Sequence, residues 1–258
     1  MKKVIFGALA LAAIFAVTGC NEKKSVVIST KADLDGKSIG VQAGTTGELY
    51  VQDELKSAKC SSFKNVIDAS LSLKNGAIDA IIVDELPAKE VCKQNDDLKI
   101  LDIDLVTDVY AIAVKKGNTG LLDSINKTIA SMKADGRYEA LINAFMPADG
   151  NVKIPSVEKA ANTDGTVRMG TNAAFFPFEY TEGSEVVGFD ATMAQYIAND
   201  YGKSLEIQDM AFDGLIAALQ SDAIDFIAAG MTATEERRQN VDFSEPYFES
   251  KQVVIVRK

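Results

Sequence analysis

Arg237 stands in the stretch M-T-A-T-E-E-R-R-Q-N-V-D-F-S-E-P-Y (Met231–Tyr247), behind a run of small apolar residues. A guanidinium presents a fork of N–H donors that matches a carboxylate bidentately, so this residue type can receive an anion. Thr234 is a good N-cap, and Glu235 and Glu236 fall in a first helical turn, where the helix dipole favours acids. A helix start explains the Thr and the Glu residues but not a cation at its positive end. Arg237 is either a solvated cation balanced by those glutamates or the holder of an anion. Asp84 closes the run A-I-I-V-D and precedes E-L-P. It reads both as an N-cap and as a carboxylate that holds an ammonium group. Thr45 and Glu48 in G-T-T-G-E have capping-box spacing. The same helix start offers backbone N–H groups to an anion, and the two uses compete for donors. Phe175, Phe176 and Phe178 surround Pro177. Such residues pack in cores, and one of them at a cleft wall gives apolar cover or a π-face for a cation.

Composition narrows the chemistry. The chain has 258 residues, 27 Lys and Arg against 37 Asp and Glu, and no His. A net charge of −10 argues against nucleic acid, because nothing could neutralise a run of phosphates. Without His there is no ordinary general base near neutral pH, no usual zinc ligand and no Ser-His or Cys-His pair. Asp84 is the one acid this reading sets beside a cleft, so an acid–base pair is not evident, and neither a cofactor nor a metal is expected.

Elements must position these groups. Leu71–Asp84 (L-S-L-K-N-G-A-I-D-A-I-I-V-D) and Ala217–Gly230 (A-A-L-Q-S-D-A-I-D-F-I-A-A-G) echo each other: a short amphipathic helix, a turn, a shared A-I-D and an apolar run. Such runs fed by helices read as parallel strands buried on both faces. Upstream of each, Ser38–Thr45 and Val167–Thr171 are strand-like and end in Gly-Thr. The chain therefore holds two similar α/β units. Between them Leu121–Met132 and Tyr138–Phe145 follow helical spacing, parted by Gly136 and ended by Pro147. Residues 147–165 are polar and without periodicity, which reads as a linker. Phe189–Gly202 reads as a helix with Asp190 as its N-cap and Gly202 as its stop. Ligands of parallel sheets collect at the C-terminal strand ends, here Gly44-Thr45, Asp84, Gly170–Asn172 and Gly230–Thr232.

The start of the chain reads as a targeting segment. Lys2 and Lys3 precede the apolar run Val4–Val17, too short to span a bilayer comfortably. V-T-G-C resembles a bacterial lipobox, which would make 1–19 a lipoprotein signal peptide and Cys20 a lipidated N-terminus. The alternative is an ordinary signal peptide with an incidental Cys. Cys60 and Cys92 remain, and spacing alone does not decide whether they form a disulfide.

Taken together, G-T-N-A-A-F-F-P-F-E-Y (170–180), V-V-G-F-D (186–190), M-A-F-D-G-L-I-A-A-L-Q-S (210–221), A-A-G-M-T-A-T-E-E-R (228–237), V-D-F-S-E-P-Y (241–247), D-L-D-G-K-S-I-G-V-Q-A-G-T-T-G-E (33–48) and L-K-N-G-A-I-D-A-I-I-V-D-E (73–85) resemble the bacterial periplasmic amino-acid-binding proteins of ABC importers, solute-binding protein family 3. The resemblance implies a two-lobed α/β fold of the periplasmic binding protein type II, or Venus-flytrap, kind. It implies that Arg237 holds the α-carboxylate of a free L-amino acid, with Thr232, Thr45 and Thr46 beside it. Asp84 and the main-chain carbonyl of Gly230 would hold the α-ammonium, Phe175 and Phe212 would form aromatic walls, and Asn172 would touch the ligand side chain. Relatives that prefer cationic or amide ligands often carry an acid where this chain has Asn172. The order of segments differs from the family's, since the G-T-T-G-E half comes first, which implies a circular permutation with the usual ends joined through 147–165. The implied layout is a tether and hinge strand at 20–30, lobe 2 at 31–102, lobe 1 at 107–247 with the helical pair 121–146 and the linker 147–165, and a hinge strand at 248–258. Residues 25–30 are expected to pair with 253–258. The implied partners are ABC permease subunits and, through the lipid anchor, a membrane, with the carrier itself a monomer outside the cytoplasm. Two other classes remain: a sensory domain for a membrane receptor, and an exported dehydratase acting on cyclohexadienyl acids. Which amino acid binds is not written in these motifs.

Overall fold

The computed structural model describes residues 27–103 and 105–258. The signal segment, Cys20 and most of the tether lie outside the described residues. The first unit runs β1 (Ser38–Gln42), α1 (Thr46–Glu54), β2 (Lys59–Phe63), α2 (Val66–Lys74), β3 (Ala80–Asp84), α3 (Glu85–Gln94) and β4 (Leu98–Leu101). β5 (Thr107–Tyr110) and β6 (Ala113–Lys115) lead into the second unit, which continues with α4 (Thr119–Asp135), α5 (Arg137–Phe145), β7 (Thr166–Thr171), β8 (Ala174–Phe175), β9 (Glu179–Glu182), β10 (Glu185–Val187) and α6 (Phe189–Asp200). β11 (Ser204–Asp209), α7 (Leu215–Gln220), β12 (Phe226–Ile227), α8 (Glu235–Arg238) and β13 (Val241–Phe243) follow, and β14 (Phe248–Arg257) returns to the first unit.

The architecture is α/β in two lobes. One sheet has the order β2-β1-β3-β14-β4 and the other β11-β7-β12-β6-β13, with a small β10-β9-β8 sheet beside them. β3 is buried at every residue, as its unbroken A-I-I-V run requires of a strand covered on both faces. β1 pairs in parallel with β2 and β3, and β7 in parallel with β11 and β12. Helical spacing in α4 turns Leu121, Ile125, Ile129 and Met132 into the core. Gly136, at φ +86°, ends it and α5 begins at once.

Residues 147–165 hold no helix or strand. They run along the second unit, tied by Lys153 N–H to Ala144 O, by Asn199 Nδ2 to Glu158 O and by Asp164 N–H to Gly202 O.

Two strands join the units. β14 pairs antiparallel with β5, Phe248 opposite Tyr110 and Ser250 opposite Asp108. Beyond that point β14 lies between β3 and β4, with Val254 opposite both Ile82 and Leu101. A strand has two edges, so this stretch cannot also pair with 27–30, the described part of the expected segment. Residues 27–30 accordingly form no strand, and Ile28 instead packs in one apolar cluster with Val254 and Val256. The expected pairing is replaced by β5–β14.

One smaller expectation is also corrected, and one open question is answered. Gly188 rather than Asp190 caps α6; Asp190 points inward and is fully buried. Cys60 and Cys92 are free thiols, each half-buried.

Candidate functional site

The loops at the C-terminal ends of β1, β3, β7 and β12 converge, as ligand sites of parallel sheets do. They bring every sequence-predicted ligand residue to one cleft: Thr45, Thr46 and Asp84 from the first unit, and Asn172, Phe175, Phe212, Gly230, Thr232 and Arg237 from the second. Its empty space is ≈330 Å³, including open solvent at the mouth. Gln42, Glu179 and Ala229 complete the lining.

Arg237 lies on α8, where Thr234 caps the helix by accepting from Arg237 N–H at 3.2 Å. Its guanidinium is buried rather than solvated, which decides against the surface-pair reading. Nη1 donates to Thr232 O and Nη2 to Gly44 O, each at 2.7 Å, and the group lies over the Phe212 ring at 5.4 Å. Among the described residues no carboxylate is ion-paired with it, so the adjacent glutamates do not balance it. Burial pulls its proton affinity down, opposed by the charges of Asp108, Glu236 and Asp84. A desolvated guanidinium held only by carbonyls is a receptor for an anion.

Thr45 caps α1: Oγ1 accepts from Glu48 N–H at 3.4 Å and donates to Gln42 O at 2.7 Å. Glu48 reaches past it to Gly44 N–H at 2.7 Å. The cap thus takes one donor, and by helix geometry the first-turn N–H groups of Thr46 and Gly47 are the ones left for an anion.

Asp84 makes no capping bond to α3, although it stands at the N-cap. One oxygen accepts from the Tyr110 hydroxyl and the other from Gln252 Nε2 at 2.8 Å. Burial, reinforced by the nearby charge of Asp108, pushes it up to about 7.

Asp108 escaped the sequence reading. It lies on β5, is buried, and accepts from Thr46 Oγ1 at 2.9 Å, Thr232 Oγ1 at 2.9 Å and Gln252 Nε2 at 2.6 Å. Both its oxygens thus hold hydroxyls drawn from opposite units. Since each hydroxyl has a single proton, Thr46 and Thr232 turn only lone pairs toward other partners.

Asn172 follows β7. Its Nδ2 donates to Met210 O and its Oδ1 accepts from Gln42 Nε2, both at 2.8 Å. It is engaged by the protein on both sides instead of projecting free. Gly230, at φ +53°, packs its backbone against the rings of Phe175 and Tyr110 and donates its N–H to Asp190 Oδ2 at 3.0 Å. Phe175 is the cleft wall, while Phe178 is wholly buried and Phe176 packs at a tilt against Tyr180, ring centroids 5.0 Å apart.

Gln42 and Glu179 were within reach of the sequence. Gln42 directly precedes A-G-T-T, and Glu179 follows F-P-F in a segment already singled out. With Asp84, Asp108 and Glu179 near one another, the expectation of a single acid beside the cleft is corrected. Among the described residues, no three acidic or thiol side chains could hold a metal ion. Nor is any described helix long and apolar enough to cross a membrane.

Residues 167–258 match the model of the bacterial extracellular solute-binding proteins, family 3. The arginine-binding extracellular protein ArtP of Bacillus subtilis (strain 168) is 44% identical over 90 residues, 35% of this chain and 35% of that protein. A probable histidine-binding protein of Campylobacter jejuni is 39% identical over 120 residues, 46% of this chain and 47% of its own length. The ABC transporter arginine-binding protein 1 of Escherichia coli (strain K12) is 35% identical over 137 residues, 49% of this chain and 56% of its own. The chain thus spans between 35% and 56% of the length of these relatives. Among solved structures, the arginine-bound form of domain 1 from TmArgBP is 45% identical over 36% of this chain and 81% of that one, with a TM-score of 0.33.

Proposed function

We propose that this chain, which belongs through residues 167–258 to the bacterial extracellular solute-binding proteins, family 3, captures a free L-amino acid between its two units and delivers it to an ABC-type permease. The observation that carries this reading is the meeting, around one cleft, of a buried guanidinium from one unit and a buried carboxylate from the other. Arg237 suits an α-carboxylate, with the first-turn N–H groups of Thr46 and Gly47 beside it. Asp84, with the lone pairs of Thr46 and Thr232 and the carbonyl of Gly230, suits an α-ammonium. Each charge-assisted contact is worth about 1.5–3 kcal/mol. Because the contacts come from both units, the ligand favours the closed arrangement over an open one, and that difference is what a permease reads.

Glu179 favours a cationic side chain. It supplies the acid that Asn172 lacks, and relatives are named for arginine or histidine binding. The carrier is a monomer, tethered outside the cytoplasm through a lipidated Cys20 after loss of 1–19. Its segment order is a circular permutation, supported by a family match confined to 167–258 while 33–48 and 73–85, which resemble the family's later segments, stand earlier in the chain.

A thermal-shift screen against the common amino acids tests the reading, since a ligand of the native state raises the melting temperature. L-arginine is expected to give the largest rise; no rise with any amino acid would defeat the proposal. Glu179 also supplies the second acid a cyclohexadienyl dehydratase would need, and that reading predicts turnover of prephenate or arogenate.

A further inference from the structure

Glu179, the first residue of β9, is buried and lines the cleft opposite Phe175 in the β8–β9 ladder. Asp190, in the first turn of α6, is fully buried. Asp190 Oδ2 accepts from Gly230 N–H at 3.0 Å and from the Tyr247 hydroxyl at 2.6 Å. Asp190 Oδ1 and Glu179 Oε2 are both buried, and neither receives an N–H or O–H from any other described residue. The two carboxyls lie close enough for the charge of Asp190 to bear on Glu179, and each keeps an oxygen that no donor reaches. Two carboxylates have only acceptors to offer, so one of the pair carries a proton. Asp190 already holds two donors and is the better anion, which places the proton on Glu179. Burial, followed by the charge of Asp190, holds Glu179 well above the usual carboxylate range. Asp84 at the end of β3 and Asp209 at the end of β11 add negative potential. Tyr247 and Tyr138 face Asp190, and Arg237 lines the same cleft.

We propose that a cationic side chain of the bound amino acid takes the place of the proton on Glu179 beside Asp190, so that capture releases that proton and uptake strengthens as pH rises. The inference rests on the amino-acid reading above. The O–H bond of Glu179 breaks, its electron pair stays on the carboxylate, and the proton leaves to solvent. A guanidinium or ammonium N–H then donates to the freed oxygen. One positive charge replaces another, so the buried site gains no net charge. A neutral side chain leaves the proton where it is.

Isothermal titration of the full chain near pH 6.5, in buffers of different ionisation enthalpy, counts protons released per ligand bound. L-arginine is compared with L-citrulline, its uncharged isostere. Asp84 meets the α-ammonium of both ligands and contributes equally to both counts. The expected result is about one proton more for arginine than for citrulline, and Glu179→Gln abolishes the difference. Equal counts in the unmodified protein, or a difference that survives Glu179→Gln, would overturn the exchange and leave the amino-acid reading standing. Absence of heat with every common amino acid would overturn both.

Discussion

Gln42 Nε2 donates to Asn172 Oδ1 at 2.8 Å, joining the end of β1 in one unit to the residue after β7 in the other. The same amide also donates to Lys64 O at 3.1 Å, so its direction is set from within its own unit. The bond draws the units together across the cleft without a ligand atom between them. Gln42→Ala removes it and should weaken amino-acid binding by about 2–10-fold, the value of one net hydrogen bond of ~0.5–1.5 kcal/mol. Titration calorimetry checks this. A gain in affinity would mean that the bond competes with the ligand rather than assisting closure.

Arg237 makes the second such link through Gly44 O. Arg237→Ala deletes the anion receptor and should lower affinity by about 10–150-fold, equivalent to ~1.5–3 kcal/mol. Circular dichroism should show the fold retained, because no described acid depends on this guanidinium for an ion pair. Unchanged affinity would remove Arg237 from its role.

Legibility in the sequence followed chain locality. The α/β units, the helices around Gly136 and the strand-end loops were readable because apolar periodicity and Gly-Thr endings are local signals. Asp84 and Asn172 were readable because they sit at those endings, and Arg237 because a cation at the positive end of a helix start stands out locally. Asp108 was not, since its partners Thr46, Thr232 and Gln252 lie 62, 124 and 144 residues away in sequence. The β5–β14 joint was hidden for the same reason: pairing partners of a strand are chosen by edges left free in three dimensions. Asp190 showed only its local signal, an acid at a helix start, which fits a cap as well as a buried partner.

Asp108 organises three donors, so its loss should be felt in stability as well as binding. Asp108→Ala leaves the Thr46 and Thr232 hydroxyls without their acceptor in a buried site and Gln252 Nε2 with Asp84, at a cost of about 1–3 kcal/mol for each donor that finds no substitute. A fall in melting temperature of several degrees is expected. Asp84 should simultaneously drop back toward the ordinary carboxylate range, because the charge of Asp108 is one of the causes that raise it. An NMR titration of the Asp84 carboxyl carbon would report this. No movement would show that burial alone sets Asp84.

The buried acids fix the direction of the pH dependence. Asp84 is pushed from its ordinary 3.8 up to about 7 and Asp190 from 3.8 up to about 6, and Glu179 moves the same way. Each binds its proton more tightly in the folded chain than in the unfolded one. Stability without ligand is therefore full below about pH 4 on their account and falls as pH rises toward about 7. Exposed acids such as Asp33 and Asp135 are lowered and act in the opposite sense only at more acid pH. Thermal denaturation from pH 4.5 to 7.5 should show a declining melting temperature, with a shallower slope in Asp84→Asn. A rising curve across that window would contradict the assignment.

Gly44 tests closure without touching a charge. It sits at φ +77°, and a Cβ there would lie 3.0 Å from the main-chain Cα of Asp213 in the other unit. Left-handed backbone already strains an alanine by about 1 kcal/mol. The contact with Asp213 is backbone, so it cannot be relieved by turning a side chain. The relief available is separation of the units, which would also lengthen the bonds from Arg237 to Gly44 O and from Gln42 to Asn172. Gly44→Ala should thus lose amino-acid affinity by about tenfold or more while each unit keeps its secondary structure, since Gly44 lies in the loop between β1 and α1 and belongs to neither element. Small-angle scattering with saturating L-arginine should show a larger radius of gyration than the unmodified protein under the same conditions. Equal radii together with equal affinity would mean that the cleft tolerates a methyl group between Gly44 and Asp213, and that the approach of these loops does not govern closure.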